Sequence, residues 1–343
     1  MAPPDEPERF GAAVRYHRLS AFAIEAMEAG RLGLPTGEAR RLKDEAAMRG
    51  LLARSLAAEL AAIEPLVARA CSDRPLVLKG PAAARLYPRP ALRPFGDLDL
   101  LVARRHLRGA TEALAHRGFE PMVEFAPGFG ETHGHDVHLR RLVGRRSIGV
   151  DLHWRVGDDE LGRALSHERL RPGAGSFQVD GAEALAPAPE AELLVLAMHL
   201  LSDRDKRMIW VCDLLYAARA ATGAQWRAAF ELADDLGLLW PLNRALDYAE
   251  RHLGLRRDRP LAAGEAPAWG PLRAVEEVEA RASLHVGRLA RLRWPARLRY
   301  AARVLVPSRA GLRGTVGRDG APMWRLIGRH LRATVAGVTS RRR

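Results

Sequence analysis

Residues 77–102 read VLKGPAAARLYPRPALRPFGDLDLLV, and the end of this stretch decides the fold. It opens on an apolar run that stops at Lys79-Gly80 and closes on a second apolar run holding Asp97 and Asp99. The pattern DLDLLV over 97–102 alternates and reads as a strand. On a strand, residues i and i+2 share a face, so both carboxylates project from the same side. Carboxylates in an apolar run need a partner, either a cation or an arginine. Arg93 is the nearest arginine upstream.

The segments on either side give that strand a setting. PLVLK (75–79) reads as a strand, 81–87 as a short helix, and YPRPALRP as a proline-broken connection. RRHLRGATEALAHRG (104–118) reads as a helix closed by Gly118. FEPMVEF, DVHLRRLV and SIGVDLHWRV read as further strands. Asp151 lies in the last of these, an acid in an apolar strand after a hairpin-like return. Residues 9–70 are helical by their apolar spacing, with Leu51, Leu52, Leu56, Leu60 and Ile63 on one face. Beyond APAPE (186–190) the chain turns helical again.

These readings divide the chain into four parts. They are an N-terminal helical region (1–70), a core (71–185), a helical domain (186–280) and a basic helical tail (281–343). The 343 residues carry a net charge of +13, with 54 Lys+Arg against 41 Asp+Glu. Sixteen arginines and a single acid, Asp319, fall in 281–343, so the basic character belongs to the tail. Such a tail suits RNA, an anionic membrane surface, or solvent. Only Lys43, Lys79 and Lys206 are lysines, which singles out Lys79 as a place for a compact ammonium. Two cysteines far apart, Cys71 and Cys212, make no disulfide framework. The polar N-terminus lacks the apolar core of a signal peptide, and no apolar stretch reaches transmembrane length. A soluble, cytoplasmic protein is the expectation.

Two carboxylates on one strand face suit a solvated face, an arginine partner or a divalent-metal site, since Mg²⁺ takes hard oxygen ligands and shares phosphate oxygens; a third on a neighbouring strand, Asp151, would complete a two-metal site. A strand ending at Gly80 and leading into a helix can bring backbone N–H groups to phosphate, although Pro81 has none to offer. Lys79 and Arg93 are placed to neutralise phosphate, Arg93 alternatively to pair with an aspartate. His133, His135, His138 and His153 show no zinc spacing. His153 shares a strand face with Asp151. His199 and Asp213 are read as helix-packing residues.

Lys79-Gly80, RPFGDLDLLV and VDLHW together resemble the uncharacterised nucleotidyltransferase family of bacteria, within the DNA polymerase β-like superfamily. MHLLSDRDKRMIWVCDLLYAA and RLRYAARVLVPS resemble its helical parts, and the likeness spans roughly residues 12–332. The resemblance implies an α+β fold, a small mixed sheet with helices flanked by helical regions. It implies Mg²⁺ at a two-metal site held by Asp97, Asp99 and Asp151, and an NTP bound near Lys79, Gly80 and Arg93. The implied reaction moves a nucleoside monophosphate to a hydroxyl on a small molecule or peptide. RNA modification of the toxin type and a non-catalytic nucleotide-binding relative are the alternatives. If both aspartates are metal ligands, asparagine at either should abolish transfer and leave the metal-free stability unchanged or raised.

Overall fold

The computed structural model describes residues 6–122, 134–144, 146–157, 162, 164–202, 206–255 and 297–298. The basic tail, apart from 297–298, lies outside the described residues, as does His133. Helices α1 (Pro7–Tyr16), α2 (Ser20–Glu28) and α3 (Thr36–Cys71) come first. A sheet follows, built from β1 (Leu76–Val77), β2 (Leu98–Leu101), β3 (Glu120–Pro121), β4 (Asp136–Val143), β5 (Arg146–His153), β6 (Gly175–Val179) and β7 (Ala182–Ala186). Its connections carry α4 (Pro81–Ala84), α5 (Leu107–His116) and α6 (His167–Leu170). Four more helices close the described chain: α7 (Pro189–Ser202), α8 (Met208–Ala220), α9 (Gly223–Asp235) and α10 (Leu239–Leu253).

The strand order is β3-β4-β5-β2-β1-β7-β6, a mixed sheet. The parallel pairs are β1 with β7 and β2 with β5; the remaining neighbours are antiparallel. The expected α+β architecture of a mixed sheet flanked by helices is therefore what forms. The β6–β7 hairpin is an addition to it. Val179 pairs with Ala182 across a two-residue turn, Asp180-Gly181, whose φ angles of +50° and +76° are both left-handed. That is the geometry a tight hairpin requires and the reason for Asp-Gly there.

The alternation of β2 and β5 separates two environments. Leu98, Leu100, Val150 and Leu152 point to one face, where Leu56, Leu60, Ile63 and Val67 of α3 and Ala110 and Leu114 of α5 cover them. Leu76, Leu78 and Leu101 point to the other face and join the core of α7–α10. Glu59 of α3, buried beside this sheet, accepts from Arg117 at 2.7 Å and from Arg141 of β4, tying the helix to the sheet's far side. Arg85 forms a double contact with buried Glu192, 2.7 Å for each pair, and so joins α4 to α7. The helical bundle thus covers one end of the second face and leaves the β2–β5–β4 part of it for polar residues.

Candidate active site

Register decides which side chains meet. Asp99 of β2 lies opposite Asp151 of β5, and Asp151 lies opposite His138 of β4. His153 lies opposite Leu101 on one side and Asp136 on the other. Directly opposed residues share a face, and i, i+2 residues share it too. Asp99, Asp136, His138, Asp151 and His153 therefore form one polar face across three strands. Asp97 precedes β2 by one residue, and its Cβ lies beside Gly149 of β5.

Asp99 is almost wholly buried. Its Oδ1 takes the Lys79 ammonium at 2.8 Å and His153 Nε2 at 3.0 Å. Burial alone would raise its pKa; the Lys79 charge and the His153 hydrogen bond outweigh this and hold it far below the carboxylate range. Lys79 stays charged for the reciprocal reason: burial would lower it, and Asp99, Asp97 and Asp151 raise it. Asp97 is accessible to solvent yet surrounded by protein. That desolvation, followed by the Asp99 charge, raises its carboxyl. The asymmetry between the two acids follows from Lys79, which neutralises one of them.

Asp151 is half-buried and accepts from His138 Nδ1 at 2.7 Å. That hydrogen bond, opposed by burial and aided by Asp136, lifts the His138 pKa to about 9. His138 is thus a cation at neutral pH, filling charge demand on this face. His138 Nε2 lies 3.6 Å and His135 Nε2 3.4 Å from Asp136 Oδ2. His153 Nδ1 is buried without a hydrogen-bond partner, 4.0 Å from the same oxygen.

Three groups have ligand atoms close enough to share an ion: Asp99, Asp151 and His153; Asp136, His138 and Asp151; and His135, Asp136 and His153. Each contains at least one carboxylate oxygen, so the donor set fits a divalent cation. Asp97 is in none of these groups, so the structure brings Asp99 and Asp151 together and leaves Asp97 at their border. From sequence, Asp136 is only a fallback for the third acid and His138 only one of four histidines without zinc spacing; neither is expected beside Asp151. Their signal was DVH at 136–138 facing DLH at 151–153 in one hairpin. His199, a helix-packing residue by the sequence reading, also lies close by. Burial and the neighbouring Lys79 charge hold it well below its usual value, so it is a neutral imidazole near the site, edge-on to Trp210 at 4.9 Å.

Arg93 requires a correction. Its guanidinium is committed to Asp213 of α8, Nε to Oδ1 at 2.6 Å and Nη2 to Oδ2 at 2.7 Å, while Nη1 donates to the Pro94 carbonyl. Tyr87 donates its hydroxyl to the same Asp213 oxygen at 2.6 Å. The expected phosphate contact is replaced by a buried structural pair whose partner is 120 positions away, and not Asp97 or Asp99. The Gly80 turn is also poorer in donors than a phosphate loop. Pro81 lacks an N–H, the Ala82 N–H is taken by the Lys79 carbonyl at 3.0 Å, and α4 is four residues long.

What Gly80 supplies is conformation. Its φ of +52° with ψ of −109° is a glycine region, and an added Cβ would come within 3.3 Å of the Phe95 Cβ and 3.6 Å of the Asp97 carbonyl. Gly80→Ala should cost about 1–3 kcal/mol, read by urea unfolding, and should disturb the segment that carries Asp97. Wild-type stability in that variant would show that the turn relaxes freely. Beside this turn is a cavity of about 400 Å³ bounded by Ala53 and Ala57 of α3, Pro81 of α4, Arg85 just after it, Phe95 and Val179.

A mixed sheet presenting acids from adjacent parallel strands, with helices packed behind it, is the arrangement of a nucleotidyltransferase core. The chain belongs to the uncharacterised nucleotidyltransferase family, whose model matches residues 3–254. The match ends before RLRYAARVLVPS, so that C-terminal likeness lies outside it. No curated protein matches the chain. Among the described residues, no helix is long and apolar enough to cross a membrane.

Proposed function

We propose that the protein is a Mg²⁺-dependent enzyme moving a nucleoside monophosphate from an NTP to a hydroxyl on a small molecule or peptide. The observation that carries this is the Asp99–Asp151 register on the polar face, with Asp97 at its border, in a nucleotidyltransferase-family chain. Asp97, Asp99 and Asp151 would hold the metal, which would neutralise triphosphate charge and lower the pKa of the acceptor hydroxyl. His153 fixes the Asp99 carboxylate through Nε2, and Lys79 keeps that carboxylate ionised. Asp151 takes the hydroxyl proton at its carboxylate. The freed oxygen attacks the α-phosphorus in line, the bond to pyrophosphate breaks, and pyrophosphate leaves. Orientation and charge stabilisation supply most of the rate.

The test is incubation of the full chain with each α-labelled NTP, Mg²⁺ and a cell extract fractionated into metabolites, peptides and RNA. Label appearing in a small-molecule or peptide fraction supports the reading. Label confined to RNA replaces the acceptor class. No label from any NTP, with folded protein, argues against transfer.

A further inference from the structure

The turn between α1 and α2 carries positive charge that is not balanced among the described residues. Arg18 occupies this turn with φ of +59°, a left-handed conformation that a bulky residue rarely adopts. The turn is pinned to the start of α8. The His17 carbonyl accepts from the Ile209 N–H at 3.3 Å, and His17 Nδ1 accepts from the Met208 N–H at 3.2 Å. Arg207, next to Met208, lies over the rings of Tyr16 and Trp210 at 5.7 and 5.6 Å.

The Nε atoms of Arg18 and Arg207 are both buried, and neither has a hydrogen-bond partner. Among the described residues no carboxylate pairs with either guanidinium. Other arginines on buried acids are matched: Arg93 with Asp213, Arg85 with Glu192, Arg74 with Glu64 and Arg15 with Glu38. Burial, then the Arg207 and Arg49 charges, push Arg18 down to about 10, and Asp97 acts in the opposite sense. Arg18 in turn lowers the carboxyl of Asp97. Two like charges are therefore held together, still protonated at neutral pH, within electrostatic reach of the carboxylate face.

We propose that Arg18 and Arg207 are the receptor for the β- and γ-phosphates of the NTP, which rests on the nucleotidyltransferase reading. The guanidinium plane matches phosphate oxygens, and two fixed guanidinium groups call for a ligand with more than one negative charge. A polyphosphate whose α-phosphate lies at the carboxylates satisfies both. The pairing also explains how the chain handles phosphate with an amide-poor Gly80 turn and with Arg93 already committed.

Calorimetry with inorganic tripolyphosphate, in EDTA and at raised salt to suppress binding by the arginine-rich tail, tests this on the full chain. Arg18→Gly suits the left-handed backbone and should weaken binding about tenfold or more, the effect of one lost charge-assisted contact. Arg207→Gln should do the same, and Asp97→Asn should strengthen binding by removing a like charge. AMP binding should be unaffected by Arg18→Gly. Equal tripolyphosphate affinity in Arg18→Gly and wild type, or no binding by the wild type, would overturn the proposal. If Arg18→Gly also transfers nucleotide with an unchanged KM, this inference falls and the transferase reading stands. Tripolyphosphate binding without any NTP transfer leaves the receptor in place and removes the transferase reading.

Discussion

Asp97→Asn and Asp99→Asn should both lose transfer, by about 10³-fold or more, and should part company in stability. Asp97 is accessible, its carboxyl is raised by desolvation and by Asp99, and no arginine or lysine pairs with it among the described residues. Asparagine there removes repulsion and keeps the shape, so the metal-free melting temperature should hold or rise. Asp99 is different. Its removal strands Lys79, whose ammonium is four-fifths buried, and deprives His153 Nε2 of a charged acceptor. The cost should be roughly 3 kcal/mol, toward the lower end for a broken buried pair. The uniform neutrality expected from the Asp-x-Asp spacing therefore holds for one acid only. The physical reason is Lys79, whose ammonium lies 2.8 Å from the Asp99 carboxylate. Asp151→Asn should lose activity with little change in stability, because its pair with His138 is partly exposed. Thermal melts in EDTA separate the three. A steep fall in Asp97→Asn would make Asp97 a structural residue and remove it from the metal site.

Asp213→Asn should be among the most destabilising single changes in the protein, costing about 3–5 kcal/mol in urea unfolding. Arg93 and Asp213 are 4% and 1% exposed, so the stranded guanidinium has no route to water. Tyr87 loses its acceptor at the same time. The pair holds the chain four residues before Asp97 against α8, so activity should fall together with stability. A double variant, Arg93→Met with Asp213→Leu, should recover most of the stability, since an apolar pair of similar size removes the stranded charge. If Asp213→Asn unfolds like the wild type, water reaches this pair and its structural role is wrong.

Much of the site could be read from sequence because strand parity is local information. DLDLLV places Asp97 and Asp99 on one side whatever the tertiary fold, and VDLHW does the same for Asp151 and His153. What sequence did not supply is register. The tight turn at Gly144 sets Val143 against Arg146 and, by the same count, His138 against Asp151 and Asp136 against His153. Reading Gly144 as that turn, with its φ of +60°, would have brought DVH onto DLH. The Asp180-Gly181 turn between GSFQV and AEALA is an equally plain hairpin signal. Arg93 went astray for another reason. Proximity in sequence pointed to the nearby aspartates, whereas burial paired it with an aspartate on a helix 120 positions on. Arg18 has no local signal, because a charge without a carboxylate partner among the described residues is defined by what the fold places beside it.

The central claim is that the carboxylate face holds metal and nucleotide together. The direct measurement is calorimetry of each NTP with the full chain, in Mg²⁺ and in EDTA, for the wild type and Asp97→Asn. Three carboxylates hold Mg²⁺ weakly without phosphate oxygens, so each ligand should tighten the other in the wild type. Asp97→Asn should bind NTP with little response to Mg²⁺. Tight NTP binding by the wild type that is the same in Mg²⁺ and EDTA would contradict the account.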